Sequence, residues 1–193
     1  MMNDNEWEQN YQQGKTGWDR GDVSPNLHYW LENQQLEACR LLIPGCGNGY
    51  EVLHLAEKGF DVVAIDIAPT AIENLNTALA SHQLQAEAIQ ADFFKWQPKQ
   101  AFDAIYEQTS LCALPPVQWQ AYEQCLYQWL KPKGKLLVQF MQTQTEGGPP
   151  FHCDISAMLD LFSSKRWKWS EEHITQVVHS GGKREKVYLL EKL

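Results

Sequence analysis

Three glycines at alternate positions are the residues whose type and spacing most directly indicate chemistry in this sequence. Gly45, Gly47 and Gly49 stand in the segment IPGCGNGYEV, between an apolar run and an amphipathic stretch. A strand, a glycine-rich turn and a helix together form a site for nucleotide-like ligands, because glycine lets a ligand approach the backbone and the helix N-terminus presents free N–H groups. Tight turns also use glycine without binding a ligand, so the motif needs support from other residues.

The spacing of these glycines distinguishes two classes of ligand. A dinucleotide-binding loop has the pattern G-x-G-x-x-G, whereas Tyr50 stands here where the third glycine of that pattern would be. The alternating pattern is typical of S-adenosylmethionine-dependent methyltransferases of the Rossmann-like class. An NAD-dependent oxidoreductase is the alternative. Tight binding of a nicotinamide cofactor without binding of S-adenosylhomocysteine would favour it.

Two aspartates at the ends of predicted strands support a binding site. Asp66 follows Gly45 by 66 − 45 = 21 residues, where an acidic residue accepts hydrogen bonds from both ribose hydroxyls. Asp92 ends the next predicted strand, so we expect it to contact the adenine amino group while Phe93 lines the adenine face. Either aspartate alone is explained nearly as well as the cap of a helix or turn. The glycine loop, Asp66 and Asp92 follow three successive predicted strands, and together they favour a ligand-binding site.

The elements that must position these residues alternate between strands and helices. Sequence patterns predict strands at 40–44, 60–67, 84–92, 102–108, 134–141, 166–174 and 185–192, and helices at 49–59, 68–83, 115–134 and about 154–163. This order predicts an α/β, Rossmann-like fold whose mostly parallel seven-stranded sheet has helices on both faces and an antiparallel C-terminal strand. The helix at 115–134 is expected to bury one face, made of Val117, Ala121, Cys125, Leu126, Trp129 and Leu130.

Length, charge and cysteine content restrict the function further. The 193 residues predict a single domain spanning 1–193, in which 1–36 form a helical, aromatic-rich N-terminal extension. The net charge of −8 argues against nucleic acid as a partner. No apolar run is long enough to span a membrane, and the N-terminus lacks the pattern of a signal peptide, so we expect a cytoplasmic protein. A monomer is the default expectation.

The five cysteines are odd in number and widely spaced, and none forms a C-x-x-C pair. The pattern therefore predicts neither a disulfide framework nor a zinc site, and we expect reduced, mostly buried thiols and no metal. Cys46 lies inside the glycine loop, where a small side chain that fits the turn explains it better than a nucleophile does.

Six segments carry a more specific resemblance. They are WEQNYQQGKTGWDRGDVSP (7–25), IPGCGNGYEV (43–52), AIDIAPTAI (64–72), ADFF (91–94), FDAIYEQTSLCALPP (102–116) and EGGPPFHCD (146–154). With these segments the chain resembles, over nearly its whole length, the thiopurine S-methyltransferase family, and within it the thiol/halide methyltransferase-like branch. The resemblance implies a class I methyltransferase that uses S-adenosylmethionine and releases S-adenosylhomocysteine.

The resemblance also implies the residues that contact this cofactor. In the thiol/halide branch three N-terminal aromatics enclose the cofactor, and their spacing falls on Trp7, Tyr11 and Trp18, although the middle position is more often tryptophan. The remaining implied contacts are Gly45, Gly47, Gly49, Asp66, Ile67, Asp92, Phe93 and Gln108, the last at a position where relatives vary. Aromatic faces stabilise a cation such as the sulfonium of the cofactor, and a helix that closes over the site would sequester the reaction. Packing of a terminal arm is the alternative explanation for the two tryptophans.

The expected reaction is an in-line displacement in which a small, soft nucleophile attacks the sulfonium methyl group. We expect a thiol as the acceptor, with a halide, a thiopurine or tellurite as alternatives. A thiolate needs little activation, so catalysis can rest on positioning and desolvation. Asp19 and Glu107 are candidate helpers, although each is explained equally well as a turn or rim residue.

Other acceptors and functions are disfavoured by the sequence. The Asn/Asp-Pro-Pro-aromatic box of amino-group methylation and the Pro-Cys nucleophile of cytosine methylation are both missing from the sequence. A small-molecule acceptor is therefore expected. A non-catalytic sensor that binds S-adenosylmethionine or its product is the alternative from another class, and a methyl-transfer assay over the acceptors named above discriminates between the two.

Overall fold

The computed structural model describes residues 4–170 and 183–193. Its helices are α1 (Asp4–Gln12), α2 (Pro25–Glu32), α3 (Tyr50–Glu57), α4 (Pro69–His82), α5 (Trp119–Trp129) and α6 (Ile155–Leu161). Its strands are β1 (Arg40–Pro44), β2 (Asp61–Asp66), β3 (Glu87–Gln90), β4 (Phe102–Gln108), β5 (Leu130–Gln142), β6 (Trp167–Trp169) and β7 (Arg184–Lys192). Short 3₁₀ turns occupy Leu111–Ala113 and Pro116–Gln118.

The strands form a seven-stranded sheet in the order β3-β2-β1-β4-β5-β7-β6. The pairs β1/β2, β2/β3 and β4/β5 are parallel, whereas β7 runs antiparallel to both of its neighbours. The predicted fold class, a mostly parallel sheet with an antiparallel C-terminal strand, is confirmed. Parallel strands require crossover connections, and helices supply them here.

The chain forms two compact units, Met1–Asp92 and Phe93–Leu193. The first contains β1–β3 with α1–α4, and its core includes the buried side chains of Leu41, Leu55 and Leu75. The second contains β4–β7 with α5 and α6, and large side chains such as Trp129, Trp167 and Phe140 fill its core. A single methyltransferase domain over 1–193 stays a prediction.

In the first unit, β1 and β2 pair in register up to Pro44 and Ile65. Both strands are almost entirely buried, as expected for parallel strands covered on both faces. Because the two strands end together, the glycine loop after β1 lies beside Asp66 at the end of β2. Strand β3 is shorter than predicted and ends at Gln90, so Asp92 lies two residues beyond it.

In the second unit, the predicted helix at 115–134 is too long at both ends. A 3₁₀ turn precedes α5, and the chain becomes extended at Leu130 because Pro132 cannot donate a helical hydrogen bond. The late start also changes the buried face, so that Val117 is 84 % exposed and Ala121 is exposed. The α5 side chains that are buried are Tyr122, Glu123, Leu126 and Trp129.

Strand β5 is longer than predicted, since it spans Leu130–Gln142 rather than 134–141. Strand β6 begins one residue later than predicted, and the predicted residues 171–174 of that strand lie outside the described residues. In the N-terminal extension, Ser24 caps α2 by accepting a hydrogen bond from the Asn26 N–H, and Trp30 is fully buried. Within 4–170 and 183–193, no helix has the length and apolar character needed to cross a membrane.

Candidate active site

The glycine loop after β1 has a backbone that favours glycine at all three positions. Gly45, Gly47 and Gly49 have φ angles of 61°, 54° and 77°, in the left-handed region where a Cβ atom is unfavourable. The Cys46 N–H donates to the Ile65 carbonyl at 3.1 Å, which ties the loop to β2. The Gly49 N–H donates to the Cys46 carbonyl at 3.0 Å, and α3 begins at the next residue.

Two of these glycines also lack space for a side chain. A Cβ atom on Gly49 would overlap the side chain of Leu75, so this glycine is needed for packing against α4. A Cβ atom on Gly47 would lie 3.0 Å from the hydroxyl oxygen of Tyr11. The N-terminal helix therefore approaches the backbone of the loop at Gly47.

Asp66 holds the loop to the start of α4. Its Oδ2 accepts a hydrogen bond from the Gly47 N–H at 2.9 Å, and its Oδ1 accepts one from the Ala68 N–H at 2.9 Å. Burial raises the pKa of Asp66, and the hydrogen bonds from Ala68 and Gly47 oppose that effect. Its role in capping a turn, the alternative to a ligand contact, is thus observed directly.

The same geometry leaves room for a ligand at Asp66. A carboxylate offers about four lone-pair sites, and the Gly47 and Ala68 bonds occupy one on each oxygen. The side chain is 7 % exposed. Asp66 can therefore hold the loop and accept further hydrogen bonds from hydroxyl groups at the rim.

The three N-terminal aromatic residues gather beside this loop. The ring of Trp18 meets the ring of Trp7 edge-on with centroids 5.2 Å apart, and it meets the ring of Tyr11 edge-on at 5.7 Å. All three side chains are half-buried. Burial raises the pKa of Tyr11, and the Asp66 carboxylate adds to the effect. The structure brings together the trio that the family resemblance selects.

Asp19 fixes the segment after Trp18 to the glycine loop. Its Oδ2 accepts a short hydrogen bond from the Asn48 side-chain amide, and its Oδ1 accepts one from the Gly21 N–H at 2.7 Å. Burial raises the pKa of Tyr50, the first residue of α3, and the negative charge of Asp19 adds to the effect. Both oxygens of Asp19 therefore have structural partners, as the turn interpretation of this residue expects.

Glu8 is a residue of this site that sequence reasoning missed. Both of its carboxylate oxygens accept hydrogen bonds from Thr70, in the first turn of α4. A signal for such a partner exists in the sequence, since Ala68 precedes Pro69 and cannot cap the helix with its side chain. The first N–H groups of α4 therefore need acceptors from elsewhere in the chain.

The remaining predicted contacts lie at or just after the ends of β2, β3 and β4. Ile67 and Asp92 are half-buried in the first unit. In the second unit, Phe93 packs against Tyr122 with ring centroids 5.1 Å apart. The side-chain oxygen of Gln108 accepts a hydrogen bond from the Tyr106 hydroxyl at 2.8 Å. Contact of these residues with a cofactor stays a prediction.

Glu107, the other candidate helper, lies at the end of β4 with no exposed surface. Its Oε1 accepts a hydrogen bond from the Leu111 N–H at 2.7 Å, while its Oε2 is buried without a hydrogen-bond partner in the described part of the chain. Burial raises the pKa of Glu107 to about 8, and the nearby Glu185 carboxylate adds to the shift. The group is therefore mostly protonated at neutral pH.

The cysteines have the character expected of structural thiols. Cys46, Cys112 and Cys153 are buried, and burial raises the pKa of each thiol. These side chains stay protonated, so none is activated as a nucleophile. In the described ranges, no cluster of three or more histidine, cysteine, aspartate or glutamate side chains could hold a metal ion.

Comparison with known proteins places the chain in one family. The family model described as Thiopurine S-methyltransferase (TPMT) matches residues 2–192. Thiocyanate methyltransferase 1 of Brassica oleracea is 32 % identical over 158 residues, which are 80 % of this chain and 70 % of that protein. Probable thiol methyltransferase 2 of Arabidopsis thaliana is 33 % identical over 153 residues, 78 % of this chain and 68 % of that protein.

Solved structures support the same fold. The 1,6-didemethyltoxoflavin-N1-methyltransferase of Burkholderia thailandensis, solved with bound 1,6-didemethyltoxoflavin and S-adenosylhomocysteine, superposes with a TM-score of 0.79. The match covers 98 % of this chain and 86 % of that chain at 14 % sequence identity. At this identity the likeness concerns the fold alone.

Proposed function

The chain belongs to the thiopurine S-methyltransferase family, and we propose that it transfers a methyl group from S-adenosylmethionine to a small thiol. As a member of this family it is an S-adenosylmethionine-dependent methyltransferase with a small-molecule acceptor. The observation that carries the choice of a soft nucleophile is the state of the two candidate bases, and the relative named as a probable thiol methyltransferase favours a thiol among such nucleophiles. Glu107 is buried and mostly protonated, and Asp19 holds the segment after Trp18 on the glycine loop through Asn48, so neither is placed as a general base, which favours an acceptor that needs none.

The residues of the first unit fit the cofactor that the family implies. The loop is free of side chains at three positions, and Gly47 lies directly beneath Tyr11. Asp66 presents a carboxylate with unused lone pairs at the end of β2, the position from which acidic residues bind ribose hydroxyls in this class of fold. Gly45, Gly47 and Asp66 would hold the cofactor, with Trp7, Tyr11 and Trp18 beside its charged group.

Bound S-adenosylmethionine supplies an electrophilic methyl group on a sulfonium. The contribution of the chain is to hold that group, to exclude water and to orient the acceptor. The faces of the aromatic trio attract a cation, and the attraction strengthens when water is excluded. Asp19 keeps the segment that carries Trp18 on the loop through Asn48, so the aromatic residues are positioned before any ligand binds.

The choice of acceptor follows from how easily each candidate ionises without a general base. A thiol has a pKa of about 8.5 in water, so a few per cent is ionised at pH 7. Amine and hydroxyl acceptors with higher pKa values would require a base in contact with them. The relatives named as thiocyanate and thiol methyltransferases are consistent with a soft sulfur nucleophile.

A methyl-transfer assay tests the proposal. The purified chain is incubated with S-adenosylmethionine and, separately, with a small thiol, thiocyanate, iodide, a thiopurine or tellurite, and the methylated products are quantified by mass spectrometry. We expect the highest kcat/KM for the thiol. A higher kcat/KM for any other acceptor would contradict the choice of thiol. Binding of S-adenosylhomocysteine without any product would favour the sensor function instead.

A further inference from the structure

Glu8 connects the helix that carries Trp7 and Tyr11 to the start of α4. Its Oε1 accepts a hydrogen bond from the Thr70 hydroxyl at 2.6 Å, and its Oε2 accepts one from the Thr70 N–H at 3.0 Å. The Oε1 atom also accepts a hydrogen bond from the Gln12 side chain at 2.7 Å. The hydrogen bonds from Thr70 stabilise the charged carboxylate and so lower the pKa of Glu8.

Helix α4 has a specific need for this carboxylate. Ala68 provides no side-chain cap, and the first turn of α4 contains no acidic residue. The first N–H groups of a helix have no partner within it, and the positive end of the helix dipole favours an anion there. Glu8 provides both an acceptor and a negative charge from a position 62 residues earlier in the chain.

Helix α1 depends in turn on contacts of this kind. It has nine residues, and a helix of this length is marginal in water without tertiary packing. Trp7 directly precedes Glu8, and Tyr11 follows it by three residues, within one helical turn. Fixing Glu8 on Thr70 therefore sets the position of both aromatic side chains relative to the glycine loop.

We propose that Glu8 is a positioning residue for the cofactor site. By docking α1 on the N-terminus of α4, it places Tyr11 against Gly47 and Trp7 against Trp18, and so controls the affinity for the S-adenosyl cofactor. The inference rests on the proposed function, because it takes the glycine loop as the place where the cofactor binds.

The test compares three variants. Glu8→Gln keeps the size of the side chain and removes its charge, and Thr70→Val removes the hydroxyl donor but keeps the backbone N–H. Glu73→Gln is the matched control, because it removes an exposed carboxylate one turn further along α4. We expect the Kd for S-adenosylhomocysteine, measured by calorimetry, to rise about tenfold in Glu8→Gln and less in Thr70→Val. The control should stay within about twofold of the wild type.

A double-mutant cycle distinguishes positioning from general stabilisation. If Glu8 acts through the aromatic residues, Trp7→Leu will reduce the affinity much less in the Glu8→Gln background than in the wild type. Fully additive losses would overturn the inference. Hydrogen exchange of the peptide 4–12, measured without ligand, should accelerate several-fold in Glu8→Gln and remain unchanged in Glu73→Gln.

The experiments distinguish a failure of the proposed function from a failure of the role proposed for Glu8. A wild-type chain that binds no S-adenosylhomocysteine would contradict the proposed function. A wild-type chain that binds it, with Glu8→Gln binding equally well, would overturn the role of Glu8 alone. If Glu8→Gln does not fold, Thr70→Val provides the same comparison with the backbone bond intact.

Discussion

The hydroxyl of Tyr11 faces Gly47 so closely that a Cβ atom on Gly47 would lie 3.0 Å from it. The two residues are far apart in the sequence, and their proximity places the N-terminal helix directly on the glycine loop. Tyr11 thus contacts the loop at the place where we propose that the cofactor binds.

This relationship predicts the effect of Gly47→Ala. The left-handed φ of 54° makes alanine unfavourable by about 1–2 kcal/mol, and the new methyl group also displaces Tyr11. We expect S-adenosylhomocysteine affinity, measured by calorimetry, to fall about tenfold, a change of about 1.4 kcal/mol. Gly59→Ala is the matched control, since Gly59 has a φ of 83° and no atom near the new Cβ. Equal affinity losses in both variants would contradict the role of the Tyr11 contact.

Asp66 combines a structural and a proposed binding role, and two variants separate them. Asp66→Ala leaves the part-buried N–H of Gly47 and the buried N–H of Ala68 without acceptors, which costs up to about 1–3 kcal/mol each. We therefore expect both the thermal unfolding midpoint and the cofactor affinity to fall. Asp66→Asn retains one acceptor oxygen and should lose less stability than Asp66→Ala. Unchanged calorimetric affinity in Asp66→Asn would remove the residue from the ligand site.

The aromatic trio predicts that one substitution changes the affinity for S-adenosylmethionine more than the affinity for S-adenosylhomocysteine. Trp18 contacts both Trp7 and Tyr11, so Trp18→Leu disrupts the whole cluster. A cation–π interaction contributes about 0.5–2 kcal/mol, and only S-adenosylmethionine carries the positive sulfonium. We expect Trp18→Leu to weaken binding of S-adenosylmethionine more than binding of S-adenosylhomocysteine. Asp66→Asn is the comparison variant, because the ribose is common to both ligands and both affinities should fall equally.

The buried carboxyl of Glu107 predicts a pH-dependent stability. Burial raises the pKa of Glu107 from 4.5 to about 8, so between these values the native chain holds a proton that the unfolded chain has released. The free energy of unfolding therefore falls as the pH rises through this window, by up to about 1.4 kcal/mol per pH unit.

Denaturant titrations at several pH values between about 5 and 8 check this effect. In Glu107→Gln, the part of the decrease in unfolding free energy with pH that is due to Glu107 should disappear. The exposed Glu146 provides a control variant, Glu146→Gln, that should keep the wild-type slope. A wild-type slope in Glu107→Gln would show that another group is responsible.

The parallel sheet and the glycine loop were predictable because their causes are local. Alternating apolar runs and helical periodicity predict the strands and helices, and the glycine spacing marks the turn between β1 and α3. The length of α5 was not predictable from periodicity, because the 3₁₀ turn before it shifts the helical phase and exposes Val117.

The partners within the candidate site were predictable only in part. Asp66 was identified from its separation from the loop along the sequence. Its hydrogen bond from the Gly47 N–H, however, forms because β1 and β2 end side by side in the sheet. The pairing of Glu8 with Thr70 joins two helices that are far apart in the sequence, and only the missing cap at Ala68 indicates that an acceptor is needed. Such pairings arise from tertiary packing rather than from local pattern.

The carboxylates of Glu8, Asp19 and Asp66 around the loop have a consequence for the kinetic order of the reaction. They belong to a chain with a net charge of −8, so an anionic acceptor is repelled until a cationic cofactor is in place. We therefore expect compulsory-order kinetics in which S-adenosylmethionine binds before the thiolate. Product-inhibition experiments test this order: S-adenosylhomocysteine should compete with the methyl donor and act noncompetitively against the acceptor, whereas competition with both substrates would indicate random addition.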